Sequence, residues 1–176
     1  HSETKILRLP VSRTPIVIDI VPVYGEIVKG IENALYVVCT YPDGRPAACR
    51  IGTVTTDSAG VAVLPLTSLD PIRIEARDAA GRSATVDFDP RDHFAIRDFA
   101  LLVEPSYRAG ETMTVTALSA RDLTLYVDLV KNDQTIITKT LDVRGGRGSL
   151  PIDLPTEAFG TLRLTAYRVR EDGEIV

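Results

Sequence analysis

The chain has 176 residues, of which 44% are hydrophobic and 25% charged, and its formal net charge is −4 at pH 7. These values are ordinary for a folded protein and exclude a disordered chain. Acidic and basic residues are interspersed, so the clustered Lys and Arg that nucleic acid requires are absent from the sequence. No apolar run reaches the length of about 18 residues that spans a bilayer, so we expect no membrane insertion.

The first half of the chain consists of short runs with the two-residue alternation of β-strands. The predicted strands cover residues 16–21, 34–41, 47–55, 61–66, 72–76 and 84–88. Turn signals, including Asp-Ser-Ala-Gly at 57–60 and Asp-Ala-Ala-Gly at 78–81, separate them at intervals of about ten residues. This spacing is typical of an antiparallel sandwich.

The pattern breaks at residues 89–93 (Asp-Pro-Arg-Asp-His), which we interpret as a linker, with at most one helical turn around 92–97. A second series of predicted strands follows at 99–103, 113–118, 123–130, 135–143, 149–154 and 161–169, and a last hairpin begins at 171–173. The predicted fold is therefore all-β, with two tandem antiparallel β-sandwich domains of the fibronectin-III or immunoglobulin-like kind. We place them at residues 1–93, with a core from about residue 16, and at 94–176.

Both ends of the chain resemble cut points in a longer protein. The sequence begins at His1 without a Met and without a secretory leader pattern. It stops at Val176, within what reads as a strand. We therefore expect a fragment of a larger extracellular-type protein, with the second sandwich truncated at its C-terminal end.

Two cysteines, Cys39 and Cys49, flank a turn-rich segment at residues 41–46. If the hairpin is centred near Gly44, the two cysteines lie opposite each other on adjacent strands, where Cβ atoms are about 4.5–5.5 Å apart. That separation is near the range that a disulfide needs. The sequence therefore leaves two readings open for Cys39 and Cys49: a disulfide, or two buried thiols that pack as small hydrophobic side chains.

Candidate catalytic and metal-binding residues are few. The histidines, His1 and His93, have no nucleophile motif around them, and no Cys/His cluster has zinc spacing. The acids between 87 and 92 suggest an inter-domain calcium site as one reading and solvated turn acids as the other. Residues 144–148 (Arg-Gly-Gly-Arg-Gly) resemble an RNA-binding segment but lie between two strands, which favours a hairpin. We predict no catalytic residue, no cofactor and no metal.

Several segments resemble a known family. Residues 33–47 join two strands through a Pro-Asp-Gly turn, and 54–62 re-enter the sheet through an Asp-x-x-Gly turn. Together with 123–130, 136–138 and especially 162–176, they are similar to the alpha-2-macroglobulin and complement thioester family. The two halves resemble its fourth and fifth macroglobulin domains.

The resemblance implies a non-catalytic structural domain pair in an endopeptidase inhibitor that is secreted, periplasmic or at the cell surface. Its implied partners are neighbouring macroglobulin domains and, through the parent protein, target proteases. The chain holds neither a Cys-Gly-Glu-Gln thioester motif nor a bait segment, so no functional residue is carried over. Two alternatives stay open: tandem immunoglobulin-like repeats of a bacterial adhesin or stalk, and a carbohydrate-binding sandwich, although only 6% of residues are aromatic and none is Trp.

Overall fold

The computed structural model describes residues 11–169 and 173–175, and its chain packs into two compact units. The first unit contains the described residues up to Ile27 together with Glu32–Phe94. The second contains Val28–Ile31 and the described residues from Ala95 onward. Each unit has antiparallel sheets around its own core, which confirms the predicted all-β sandwich class. That the units are separate folding domains with a boundary at residue 93 stays a prediction.

The first unit is a sandwich of two antiparallel sheets. Its strands are β1 (Val17–Pro22), β2 (Asn33–Thr40), β3 (Cys49–Ile51), β4 (Val54–Thr55), β5 (Val61–Leu66), β6 (Ile72–Asp78) and β7 (Ser83–Phe88). One sheet has the order β1-β2-β5 and the other β4-β3-β6-β7. Alternation along β2 shows why the sheets pack face to face: Leu35, Val37 and Cys39 are buried while Tyr36 between them is exposed.

The core of the first unit draws side chains from both sheets. Its buried members are Ile16, Val37, Cys39, Ala47, Cys49, Ile51, Ala62, Ile74 and Ala76. A smaller cluster of Ile27, Leu35 and Phe88 closes one end. There the backbone N–H of Ile27 donates to the carbonyl of His93 at 2.7 Å, so residues 90–93, a single 3₁₀ turn, are tied to the first unit.

The second unit is also a sandwich of two antiparallel sheets. Its strands are β8 (Phe99–Leu102), β9 (Thr112–Ser119), β10 (Leu123–Lys131), β11 (Gln134–Val143), β12 (Arg147–Asp153) and β13 (Arg163–Tyr167). The sheets have the orders β12-β9-β8 and β11-β10-β13. Leu125, Val127 and Leu129 of β10 point into a core that the facing sheet completes with Met113 and Val115.

Two tight features position parts of the second unit. The β10–β11 hairpin turns through Asn132 and Asp133, whose φ angles of 49° and 59° match the two left-handed positions of a type I′ turn. Gly30, at φ 83°, lies against Ala120, so that a Cβ added there would come within 2.6 Å of the Ala120 Cβ. Val28 in the same segment is fully buried.

The structure corrects two details of the strand pattern. The run predicted as one strand at 47–55 is split into β3 and β4, because Gly52 (φ 56°) and Thr53 turn the chain back on itself. The helical turn expected around 92–97 lies earlier, at Pro90–His93, where Asp89 caps it by accepting from the backbone N–H of Arg91. The last predicted hairpin turn, at 171–173, falls largely outside the described residues, as does His1.

Candidate functional site

The fold brings Cys39 and Cys49 together across the core between two sheets. They do not lie on adjacent hydrogen-bonded strands, as the sequence suggested. Cys39 lies on β2 of one sheet and Cys49 on β3 of the other. Both side chains are buried, and both are free thiols here. The two residues therefore face each other between the layers of the first sandwich.

The turn between the two cysteines is centred one residue earlier than Gly44, so the register expected from the sequence is wrong by one residue. The turn closes on Tyr41 and Arg45, with Gly44 at φ 83° supplying the left-handed position. The N–H of Ala47 donates to the carbonyl of Cys39 at 2.9 Å, so Ala47 is the residue opposite Cys39. Two residues later the chain has crossed to the other sheet. The predicted disulfide stays a prediction, but its geometry would be inter-sheet.

Burial makes both thiols poor nucleophiles. Burial raises the pKa of Cys39 to about 12, and the neighbouring Cys49 adds to that increase. The pKa of Cys49 is also raised, mainly by burial. Because the thiolate is the reactive form, a thiol with such a pKa is almost entirely protonated and inert at neutral pH. The pair therefore suits packing or a structural cross-link better than covalent catalysis.

A polar cluster closes the same side of the sandwich. Asp78, buried at the end of β6, accepts hydrogen bonds from the backbone N and the Nε of Arg82 at 2.9 and 2.6 Å. The Arg82 guanidinium lies over the Tyr41 ring, 4.7 Å from its centroid. Burial pushes the pKa of Asp78 upward, but the hydrogen bonds and charge of Arg82 outweigh it and hold the pKa below its ordinary value. Asp78 is thus a satisfied, ionised group.

An open groove of about 1020 Å³ lies beside this cluster in the first unit. The β3–β4 hairpin lines one wall, β6 lines the other, and Leu64 and Pro65 of β5 form the floor. This groove was not predicted from the sequence. Gly52 is the sequence signal from which the bend beside the groove could have been predicted, since a glycine inside a strand pattern often marks a bend.

Two of the acids considered for calcium, Asp87 and Asp89, are paired with arginines. Asp87 forms a two-point ion pair with Arg73, at 2.8 and 3.1 Å. Hydrogen bonds from the Arg91 side chain and backbone lower the pKa of Asp89 to about 2. Among residues 11–169 and 173–175, no group of three or more His, Cys, Asp or Glu is placed to hold a metal ion. His93 stacks on Phe88, with ring centroids 4.7 Å apart.

The glycine-rich segment at 144–148 is a hairpin turn between β11 and β12. Arg144 and Arg147 bridge across it, and Gly145 and Gly146 adopt left-handed φ angles of 58° and 94°. Gly148 has no room for a side chain, because a Cβ there would lie 2.3 Å from the carbonyl oxygen of Asp142. These glycines therefore serve the turn, as the hairpin reading expects.

Asp98 is the centre of an ion-pair cluster in the second unit. Its carboxylate accepts from Arg121 and, at 3.1 Å, from Arg168, and its carbonyl accepts from the hydroxyl of Ser119 at 2.8 Å. The Oδ1 of Asp98 and the Nε of Arg168 are buried and have no hydrogen-bond partner among the residues that the structure describes. The cluster pins the start of β8 to the chain that follows β13.

Comparison with known proteins gives little. No protein-family model and no curated protein matches the chain. A solved structure titled Escherichia coli alpha-2-macroglobulin activated by porcine elastase is similar at 13% identity and a TM-score of 0.33, over 88% of this chain. The chain spans 22% of that protein. At this identity and TM-score we conclude nothing from the similarity. The fold is assigned from the strand ladders described above. In the described part of the chain, no helix is long and apolar enough to cross a membrane.

Proposed function

We propose that this chain is a non-catalytic structural domain pair of an alpha-2-macroglobulin-like endopeptidase inhibitor, and that the parent protein is secreted, periplasmic or at the cell surface. Its partners are then the neighbouring macroglobulin domains and, through the parent, target proteases. The proposal takes its family from the sequence motifs at 33–62 and 123–176. A protease trap needs modules that move as rigid bodies when another part of the molecule is cut.

The observation that carries the proposal is the closed packing of each sandwich. Side chains from both sheets meet in each core, and close-packed interiors deform little. Charged groups of the kind that chemistry requires are engaged in ion pairs, as Asp78 is with Arg82 and Asp87 with Arg73. Such an arrangement favours a scaffold over a reaction site.

The test uses the parent protein and a serine endopeptidase. If the proposal is right, the cut parent shields the bound enzyme from a large protein substrate while a small chromogenic peptide is still hydrolysed. Amide hydrogens of β2 and β10 should stay protected from exchange before and after the cut. Degradation of the parent without capture, or loss of protection in both strands after the cut, would contradict the scaffold role.

A further inference from the structure

Strand β6 is covered along only part of its length on one side. β3 pairs with it at Cys49–Asp78 and Arg50–Arg77, and the ladder ends there because β3 turns away at Gly52. β6 continues back to Ile72 and is paired with β7 from Ile72 to Arg77. Among the strands of the described residues, 72–76 therefore have a neighbour on the β7 side alone.

The backbone direction along β6 shows which groups face the uncovered side. The N–H of Asp78 donates to the carbonyl of Arg82, so the polar groups of Asp78 point toward β7. The N–H and C=O of one residue point to the same side of a strand, and successive residues alternate between the two sides. Those of Arg77, Glu75 and Arg73 therefore point away from β7. Arg77 meets Arg50 of β3. The N–H and C=O of Glu75 and of Arg73 have no backbone partner among the described residues.

These unpaired groups line the groove of about 1020 Å³. The β3–β4 hairpin forms the far wall, so the space beside Arg73 and Glu75 takes the place that a longer β3 would have filled. The inward-facing surface is apolar, with Val54, Leu64 and Ile72 among its lining residues. A strand that already has neighbours on both sides has no free backbone groups to pair with Arg73 and Glu75, whereas a single extended segment has.

The charges exposed beside the groove determine which outward-facing side chains such a segment should carry. Arg50, Arg73 and Arg77 are exposed beside the slot, and the acids Glu75 and Asp87 offset two of these three positive charges. An added strand would therefore meet a net positive rim. We propose that the groove binds an extended peptide segment of a partner protein, added to β6 as a strand, with apolar side chains inward and acidic ones outward.

Synthetic peptides test the proposal without altering the protein. The probe is a fluorescently labelled Glu-Val-Glu-Val-Glu peptide, capped at both ends and titrated against the 176-residue chain. Its glutamates lie opposite Arg73 and Glu75, so their side chains point outward and their backbone N–H and C=O groups face β6. We expect saturable binding with slowed amide exchange at Arg73 and Glu75. N-methylation of the central glutamate should weaken binding about tenfold, the effect of losing one or two backbone hydrogen bonds.

The matched control is the same peptide with an N-methyl group on a valine, whose N–H points away from β6. That peptide should bind as tightly as the parent peptide, and a Lys-Val-Lys-Val-Lys peptide should bind more weakly. Equal weakening by both N-methyl groups, or no slowing of exchange at Arg73 and Glu75, would overturn the strand-addition geometry. Protection of these two amides in a dimer without peptide, seen with sedimentation, would assign the slot to a second copy instead.

Discussion

Gly60 lies directly against the carbonyl oxygen of Cys39: a Cβ added to Gly60 would be 2.4 Å from that oxygen. The two residues are also joined by a hydrogen bond of 2.8 Å from the Cys39 N–H to the Gly60 carbonyl. Gly60 ends the turn at residues 57–60, where Asp57 Oδ1 accepts from the N–H groups of Ala59 and Val61. This contact fixes how the β5 turn meets the end of β2.

Gly60→Ala should therefore destabilise the first unit by about 3 kcal/mol or more, since it combines a left-handed φ of 79° with a backbone clash. Gly44→Ala is the matched control, because Gly44 has φ 83° and a Cβ added there would meet no atom within 4 Å. It should cost only about 1–2 kcal/mol, the conformational part. Urea denaturation of both variants measures the difference, and equal losses would show that the clash is relieved by backbone movement.

The Cys39–Cys49 pair should form an inter-sheet disulfide when the chain is refolded with oxidised glutathione. Each sulfur loses its hydrogen, and glutathione disulfide is reduced to two thiols. Non-reducing mass spectrometry should then show a loss of two hydrogen atoms and no alkylation after unfolding. The thiols of the folded, reduced chain should be alkylated far more slowly than those of the unfolded, reduced chain, because in the fold both are buried and protonated. Alkylation of both cysteines after oxidative refolding would contradict the disulfide.

The reduced protein should lose stability as the pH rises from about 9 toward 12. The pKa of Cys39 goes from its ordinary value of 9.0 to about 12 in the folded state. In that window the folded chain holds a proton that the unfolded chain has released, so folding becomes less favourable with increasing pH. Cys39→Ala should be less stable at pH 7 but show a flatter alkaline decline. Urea midpoints between about pH 8 and 11 test this, and parallel declines would assign the loss to other groups.

Leu125→Ala should destabilise the second unit by about 3 kcal/mol, because Leu125 is fully buried on β10 and its removal leaves a cavity. The control is Ile136→Ala on the neighbouring strand, 40% exposed, with an expected cost below about 1 kcal/mol. Hydrogen exchange should show faster opening of β9 and β10 and unchanged protection of β2 and β6. Loss of protection in β2 as well would mean that the two cores unfold as one.

The strand pattern was readable from the sequence wherever one face of a strand is buried. β2 and β10 alternate between core and solvent, and their limits match the predicted runs within one residue. The run at 47–55 misled for a physical reason: most of its residues are apolar or β-branched, and only Gly52 marks the turn. Periodicity records burial, and it does not record where a backbone reverses.

The relation between the cysteines was beyond the sequence for a different reason. A shift of one residue in the hairpin centre, set by the left-handed Gly44, decides that Cys39 is opposite Ala47. The crossing of the chain from one sheet to the other then places Cys49 across the core. Likewise, the uncovered side of β6 depends on the short length of β3, which is a tertiary outcome and not a local preference.

The position of Val28–Ile31 in the sequence affects how the gene could be divided. This short stretch packs within the second unit although its coding sequence lies inside that of the first. A gene segment starting at Ala95 would lack the buried Val28 and the glycine that sits against Ala120. Exon shuffling or recombination at residue 94 would thus deliver an incomplete module, so the two halves are expected to be inherited, duplicated and exchanged together.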